Sequence, residues 1–522
     1  MMRSKNKFTK LLSILLAVVL TAGIMSGCGG GGSGGKNTEG KTEIKIAYWQ
    51  AGYGEEWLKN LIAAFEEKNT DYYVTYQATA SHASVVAPFG MADIDKNDLY
   101  LDIKNMDFEY MEPLDDILAT TADGDMKSIG EKMNESYLAY EKSSDGKCYT
   151  LSYGGGVIGF YYNEDLLEKA GIEQFPRTTD ELVVACDALS SNGITPLCHF
   201  TAGGYYTYLL QEYMVQYNGF DYYLNNFFAC KDENGNSPSK AVFTAKDGRY
   251  YALKAFEKFI TPEYTLSGSN TMSHTEIQTQ FLQKSAAMML NGSWVANEMN
   301  IPEDDTTVKC AKLPVLSAII NKLTTVKSDK ELRKVITAID QITDGEKQLS
   351  DFASGDGYAV DGIAVSAADW DVIYEARNTV VGNAAQQSLY IPNYADAKEG
   401  AKKFVTFLLS DAGYKIFAEA TGCPLPLNLS TGEEIDISGL SNLQKVPFKV
   451  WKDAKTYVDT GVSGEHEIFA TGGASILAGV SYVSEFSTYN NQDRKSADEV
   501  WNKYIDTVNE KYDVWLKTMK GE

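Results

Sequence analysis

Residues 146–172 read GKCYTLSYGGGVIGFYYNEDLLEKAGI. Cys148 to Tyr153 and Val157 to Tyr162 are short and rich in aromatic and β-branched residues, so both are expected to be strands. Between them stands the triplet Gly154-Gly155-Gly156. Residues 154–159, GGGVIG, match the spacing of a dinucleotide-binding G-x-G-x-x-G, and Asp180 follows as a candidate ribose ligand. That fingerprint must open a helix, so that the pyrophosphate meets the helix N-terminus. Here a β-prone run follows instead, and the nucleotide reading fails. Taken alone, the glycines mark a plain bulge between strands.

On either side the pattern alternates strand and helix. Glu43 to Trp49, EIKIAYW, is an alternating strand, and Glu55 to Lys68 sets Trp57, Leu58, Leu61, Ile62 and Phe65 at helical spacing. Tyr72–Thr79 and Leu99–Ile103 are expected strands, and Lys127–Lys142 one helix. Thr178 to Glu181 fits a capping box that opens a helix to Leu189. Ile194–Phe200 and Ala286–Leu290 read as strands. Thr207–Tyr217, Lys246–Phe259, Glu276–Gln283, Ala395–Leu409, Ala412–Ala420 and Ala497–Thr518 read as helices. Such alternation defines an α/β protein with mainly parallel sheets.

The N-terminus has a different character. Arg3, Lys5, Lys7 and Lys10 precede an apolar run, Leu11–Leu20, which suits the core of a signal peptide and is too short for a membrane anchor. Met25-Ser26-Gly27-Cys28 closes the segment and resembles a lipoprotein cleavage site. Residues 1–27 are therefore expected to be removed, with Cys28 lipidated; the alternative is a plain secretory signal with a chance Cys. Residues 28–41 form a Gly-rich tether with an r.m.s. reach of roughly 20 Å. The full chain of 522 residues has a formal charge of −24, and loss of residues 1–27 makes it −28. This acidity argues against a nucleic-acid partner, which needs clustered Lys and Arg. The 33 Tyr, 21 Phe and 7 Trp suit surfaces that are apolar on one side and wet on the other.

Catalytic and metal motifs fail on inspection. Walker A and HExxH sequences are missing, and the one GxSxG spacing, Gly31–Gly35, falls in a Gly-rich run without the strand-to-helix turn that a nucleophile needs. Asp93, Asp95 and Asn97 open like a calcium loop, but Asp98 replaces the required Gly and Lys104 the closing Glu. The four His have no ligand pairing, and the six Cys after Cys28 form no CxxC and are expected to be buried thiols. No catalytic residue, metal or cofactor is assigned.

Four stretches together resemble the extracellular solute-binding proteins of carbohydrate ABC transporters, the maltose-binding-protein-like family. They are IKIAYW with EEWLKNLIAAFEEKNTDYYVTYQ; residues 146–172 with RTTDELVVACDAL and GITPL; FLQKSAAMMLNGSW, Phe281–Trp294; and AKKFVTFLLSDAGYKIFAEATG, Ala401–Gly422. Residues 317–361 are longer than the usual connector, and about 100 residues follow Gly422 where many members have fewer.

The resemblance implies an α/β, two-lobed periplasmic-binding-protein-like fold with interleaved lobes, a hinge and a central ligand cleft. Lobe 1 is expected to hold residues 42–154 and 292–362, and lobe 2 residues 155–291 and 363–522. Crossings are expected near Tyr153–Gly156, Asn291–Trp294 and Asp361–Val365. The implied function is a monomeric, non-enzymatic, lipid-anchored receptor on the extracellular face of a Gram-positive-type cytoplasmic membrane. It would bind a carbohydrate, an oligosaccharide by preference, and pass it to ABC permease subunits. The alternatives are a receptor for another solute and a surface glycoside hydrolase. Sugars offer apolar C–H faces to aromatic rings and a rim of hydroxyls to polar groups. By order of elements, the expected ligand residues are Trp49, Gln50, His82, Asp102, Lys104, Asn105, Tyr153, Tyr205, Tyr206 and Trp294. Core packing is the alternative for the aromatics and solvation for Lys104 and His82. Trp57, Trp370, Trp451, Trp501 and Trp515 are expected in the core.

Overall fold

The computed structural model describes residues 38–50, 52–143, 145–199, 205–299, 301, 306–382, 387–450, 455–458 and 494–519. The expected signal peptide, Cys28 and most of the tether lie outside these residues, as do Trp451 and the side chain of Trp515.

The strands in chain order are β1 (Thr42–Trp49), β2 (Tyr72–Thr79), β3 (Leu99–Asp102), β4 (Leu151–Ser152), β5 (Ile158–Asn163), β6 (Leu197–Cys198) and β7 (Met288–Gly292). They continue with β8 (Val308–Ala311), β9 (Ala353–Ser354), β10 (Gly357–Val360), β11 (Ile363–Ser366), β12 (Thr379–Gly382), β13 (Ser388–Tyr390) and β14 (Lys455–Val458). Two sheets carry the molecule, in the orders β2-β1-β3-β13-β4 and β6-β7-β5-β8.

In the first sheet β1 runs parallel to β2, Thr42 facing Tyr72 through Trp49 facing Thr79, and parallel to β3. The helix Glu56–Lys68 buries Trp57, Leu58, Leu61, Ile62 and Phe65, the stripe its spacing predicts. Each such side chain contributes about 1.5–3 kcal/mol of apolar burial. Phe404 and Phe417 meet Phe65 and Trp57 edge-on at 5.2 and 5.1 Å, so the helices Lys398–Leu408 and Asp411–Thr421 cover the same sheet. Gly400 permits this approach: a Cβ there would lie 2.8 Å from Tyr72 Cε1 and 2.9 Å from Ile44 Cγ1.

The second sheet is built around β5, antiparallel to β7 and β8, with β6 parallel to β7. The helices Thr179–Ser191, Tyr205–Asn218 and Gly248–Phe259 cover it. The C-terminal helix Ala497–Met519 docks here too, Tyr504 accepting a hydrogen bond from Arg249 at 2.9 Å. Trp57, Trp370 and Trp501 are all buried.

The strand pairing departs from the expected lobe division in two places. Residues 292–362 were assigned to the first lobe, yet β8 pairs with β5 in the second sheet. Residues 363–522 were assigned to the second lobe, yet β13 lies between β3 and β4 of the first, followed by the helices on Gly400. The chain passes between sheets at 153–157, between Gly382 and Ser388, and beyond Gly422, where Leu443 joins Tyr161 and Met289. Asp361–Val365 is no crossing; Asp361 and Gly362 form the turn of the β10–β11 hairpin and Ile363 to Val365 lie in β11.

That hairpin belongs to the long connector, which is a subdomain. Helices Asp329–Thr343 and Ala367–Asn378 enclose Leu332, Ile336, Ile339, Val365, Trp370 and Ile373 in their own core. Two smaller expectations also change. The helix over 127–142 is two helices, Ile129–Lys132 and Glu135–Glu141, because Asn134 caps the second through Ser136 N. The capping box at Thr178 is half formed: Thr178 accepts from Glu181 N, but the Glu181 carboxylate is taken by Arg177. Cys148, Cys186, Cys198, Cys230 and Cys423 are buried and Cys310 half-buried, all as free thiols.

Candidate functional site

In a parallel sheet, ligand groups gather beyond the carboxyl ends of the strands. Trp49 ends β1, and its indole Nε1 donates to Ala80 O at 3.3 Å. Gln50 is exposed, its N–H held by Thr79 O at 2.8 Å. His82 opens the short helix capped by Ser81, and its ring meets Trp49 edge-on at 6.2 Å. His82 Nδ1 lies 2.8 Å from Oδ1 of Asp102, the last residue of β3. The Tyr390 hydroxyl, on β13, donates to the other Asp102 oxygen at 3.3 Å. Asp102 is fully buried, and burial pushes its carboxyl above the usual range although His82 and a backbone N–H oppose this.

The facing wall comes from the second sheet. β7 ends at Gly292, and the next residue, Ser293, is tied to Val157 by two hydrogen bonds of 2.8 and 3.2 Å. Trp294 then folds back over Gly292 and lies against Gly156 and Gly52. Tyr205 begins its helix and stacks on Trp294, centroids 6.3 Å apart and planes 27° apart. Burial raises the Tyr205 phenol to about 12. Four residues after Trp294, Glu298 accepts from Gln278 Nε2 at 2.6 Å through Oε2, while Oε1 points at Gly52. Gly52, three residues beyond Trp49, lies against Trp294 and Glu298, so the segment that follows β1 meets the second wall.

Trp49, His82 and Asp102 are therefore brought together, as are Tyr205 and Trp294. Asn105 lies half-buried beside the first group, accepting from Asp107 N at 3.0 Å. Five expected residues are buried: Asp102, Trp294, which is 8% exposed and belongs to the main hydrophobic core, and Tyr153, Tyr206 and Lys104. Tyr153 is buried and stacks on Trp57 at 5.6 Å. Tyr206 is buried among His199, Phe256 and Phe259, because the helix begins at Tyr205 and successive residues diverge by about 100°. Lys104 is buried with its ammonium 3.0 Å from Glu141 and 2.7 Å from Tyr140 O, and burial lowers its pKa.

Glu298, Gln278 and Tyr390 were not anticipated. A signal existed for Glu298 in its position one helical turn beyond Trp294; the other two are buried and act through their bonds to Asp102 and Glu298.

The glycine triplet has a steric explanation. None of the three has positive φ. A Cβ on Gly154 would lie 2.5 Å from Gln387 Cβ, on Gly155 2.8 Å from Pro424 O, and on Gly156 2.9 Å from Trp294 Cε3. Among the described residues no group of three or more His, Cys, Asp and Glu could hold a metal ion. None of their helices is long and apolar enough to cross a membrane.

Two interleaved α/β lobes, with polar and aromatic groups facing each other between strand edges, define the periplasmic-binding-protein-like fold. Residues 51–415 match the sequence profile of the bacterial extracellular solute-binding proteins, and the chain belongs to that family. A Brucella abortus protein named as a binding protein is 25% identical over 170 residues, 33% of this chain and 38% of that protein. The chain thus matches 38% of the length of this curated relative.

Solved structures share the fold. The GacH receptor of Streptomyces glaucescens, described unliganded and with acarbose, has a TM-score of 0.57 at 15% identity, over 91% of this chain and 99% of that one. A chitin oligosaccharide binding protein gives 0.57 at 15%, over 90% and 99%. The binding protein RafE in complex with raffinose gives 0.54 at 13%, over 90% and 100%.

Proposed function

We propose that this chain is the sugar receptor of an ABC importer, held by a lipid on Cys28 at the extracellular face of a Gram-positive-type cytoplasmic membrane. As a monomer without catalytic activity, it captures an oligosaccharide between its lobes and presents it to the permease. One lobe comprises residues 42–154 with the segment from Ser388 to Gly422. The other comprises the described residues of 155–382 with 441–450, 455–458 and 494–519.

What supports this reading is the Tyr205–Trp294 stack beyond β7 of one sheet together with Trp49 and the part-exposed His82 at the strand ends of the other. Ring faces cover the C–H surface of a pyranose, and imidazole and amide groups such as His82 and Gln50 take its hydroxyls. Fold relatives named for acarbose, raffinose and chitin oligosaccharides support the same ligand class. Ligand touching both walls favours the closed arrangement, since only differential contact shifts a conformational equilibrium. The test is tryptophan fluorescence across a panel of neutral mono- and oligosaccharides, with chromatography of the recovered sugar. A saturable change with intact sugar is expected; hydrolysed sugar, or no response to any sugar, overturns the reading.

A further inference from the structure

The cleft differs in charge from what the order of elements implied. Lys104, the cation expected in it, is withdrawn into a buried pair with Glu141, its side chain 1% exposed. In its place the structure adds a carboxylate, Glu298, half-buried beside the Tyr205–Trp294 stack. Among the described residues Glu298 accepts from Gln278 through Oε2, and Oε1 lies beside Gly52. Across from it the Asp102 carboxylate is fully buried and bonded through both oxygens, to His82 Nδ1 and the Tyr390 hydroxyl, so it offers no free acceptor to a ligand. Of opposite sign, His274 acts electrostatically on Glu298. Burial raises the Glu298 carboxyl above its usual range, which marks the site as poorly solvated, where an added negative charge is repelled most strongly. The aromatic ring faces are also electron-rich.

We propose that the cleft takes neutral or amine-bearing sugars and rejects uronic acids and sugar phosphates, with Glu298 as the residue that makes the choice. The inference rests on the sugar reading above. A hydroxyl or ammonium donates to Oε1; a carboxylate or phosphate placed there has no donor to offer and meets a like charge.

The experiment uses the tightest neutral oligosaccharide of the panel and its C6-oxidised uronate. Both are titrated by tryptophan fluorescence into the wild type, Glu298→Gln and Glu298→Ala. The wild type should bind the uronate at least about tenfold more weakly. Both variants should narrow that ratio, and Glu298→Gln should do so with the smaller loss of neutral-sugar affinity. A uronate bound as tightly as the neutral sugar by the wild type, or an unchanged ratio in both variants, overturns the inference and leaves the sugar reading standing. No response to any sugar overturns both.

Discussion

The indole of Trp294 lies so close to Gly156 that a Cβ there would sit 2.9 Å from Cε3. Two crossing segments of the molecule, one leaving β4 and one leaving β7, are packed to contact at this point. Gly156→Ala should cost about 1–3 kcal/mol by overpacking. Combined with Trp294→Ala, it should cost less than the sum of the two, because the clash goes with the ring. Urea denaturation of the four proteins checks this, and strict additivity would refute the contact.

Adjacent tyrosines should give opposite phenotypes. Tyr205→Ala and Trp294→Ala should each weaken sugar binding by at least about tenfold, near the 1.4 kcal/mol that a lost stacking contact is worth. Tyr206→Ala should instead cost about 3–5 kcal/mol of stability by emptying a core site, while the folded fraction keeps its affinity. Fluorescence titration and thermal melts on the same samples separate the two.

His199 should make the fold sensitive to acid. Both ring nitrogens are buried without a hydrogen-bond partner among the described residues, and burial lowers the imidazole to about 4. The unfolded chain protonates near pH 6.5, so between about pH 6.5 and about pH 4 it binds a proton that the folded chain refuses. Stability from this group is present above that window and falls with pH, by up to about 3 kcal/mol in total. His199→Phe should remove this component. Parallel pH profiles of unfolding free energy for wild type and variant would contradict the assignment.

Asp369 should hold the inserted subdomain together. It accepts from the N–H groups of Thr324 and Val326 at 2.9 and 3.2 Å and from both the N–H and hydroxyl of Thr325. Burial alone would raise its carboxyl, but these bonds hold it down to about 2. Asp369→Asn should cost about 1.5–3 kcal/mol, the worth of hydrogen bonds to a charged group. The expected readout is faster limited proteolysis within residues 317–378; an unchanged cleavage rate argues against the role.

Cys28→Ala should release the protein from membranes into the medium. Cell fractionation with an antibody detects this, and full retention in the membrane fraction would exclude lipid anchoring.

How much of this was legible in the sequence depends on range. The helix Glu56–Lys68 and its five buried residues followed from spacing alone, since one amphipathic face is a local property. Trp49 and Asp102 were placed correctly at strand ends for the same reason. The place of β13 was not readable, because its register with Asp102 and Ser152 joins residues more than two hundred apart. Nor was the lobe to which helix Lys398–Leu408 belongs, since the steric fit of Gly400 on Ile44 is tertiary. Lys104 failed as a cleft residue because Glu141, its partner, lies on a separate helix. Tyr206 failed because the helix begins two residues earlier than its pattern suggested, which rotates the side chain inward.

The insertion of β13 between β3 and β4 has a consequence for biosynthesis. The first sheet is severed at its middle until Ser388–Tyr390 arrive, so the N-terminal third cannot complete its hydrogen-bond ladder during most of synthesis. Pairings of such high contact order form late. Closing the last gap of this sheet therefore waits until about three-quarters of the 522-residue chain is available.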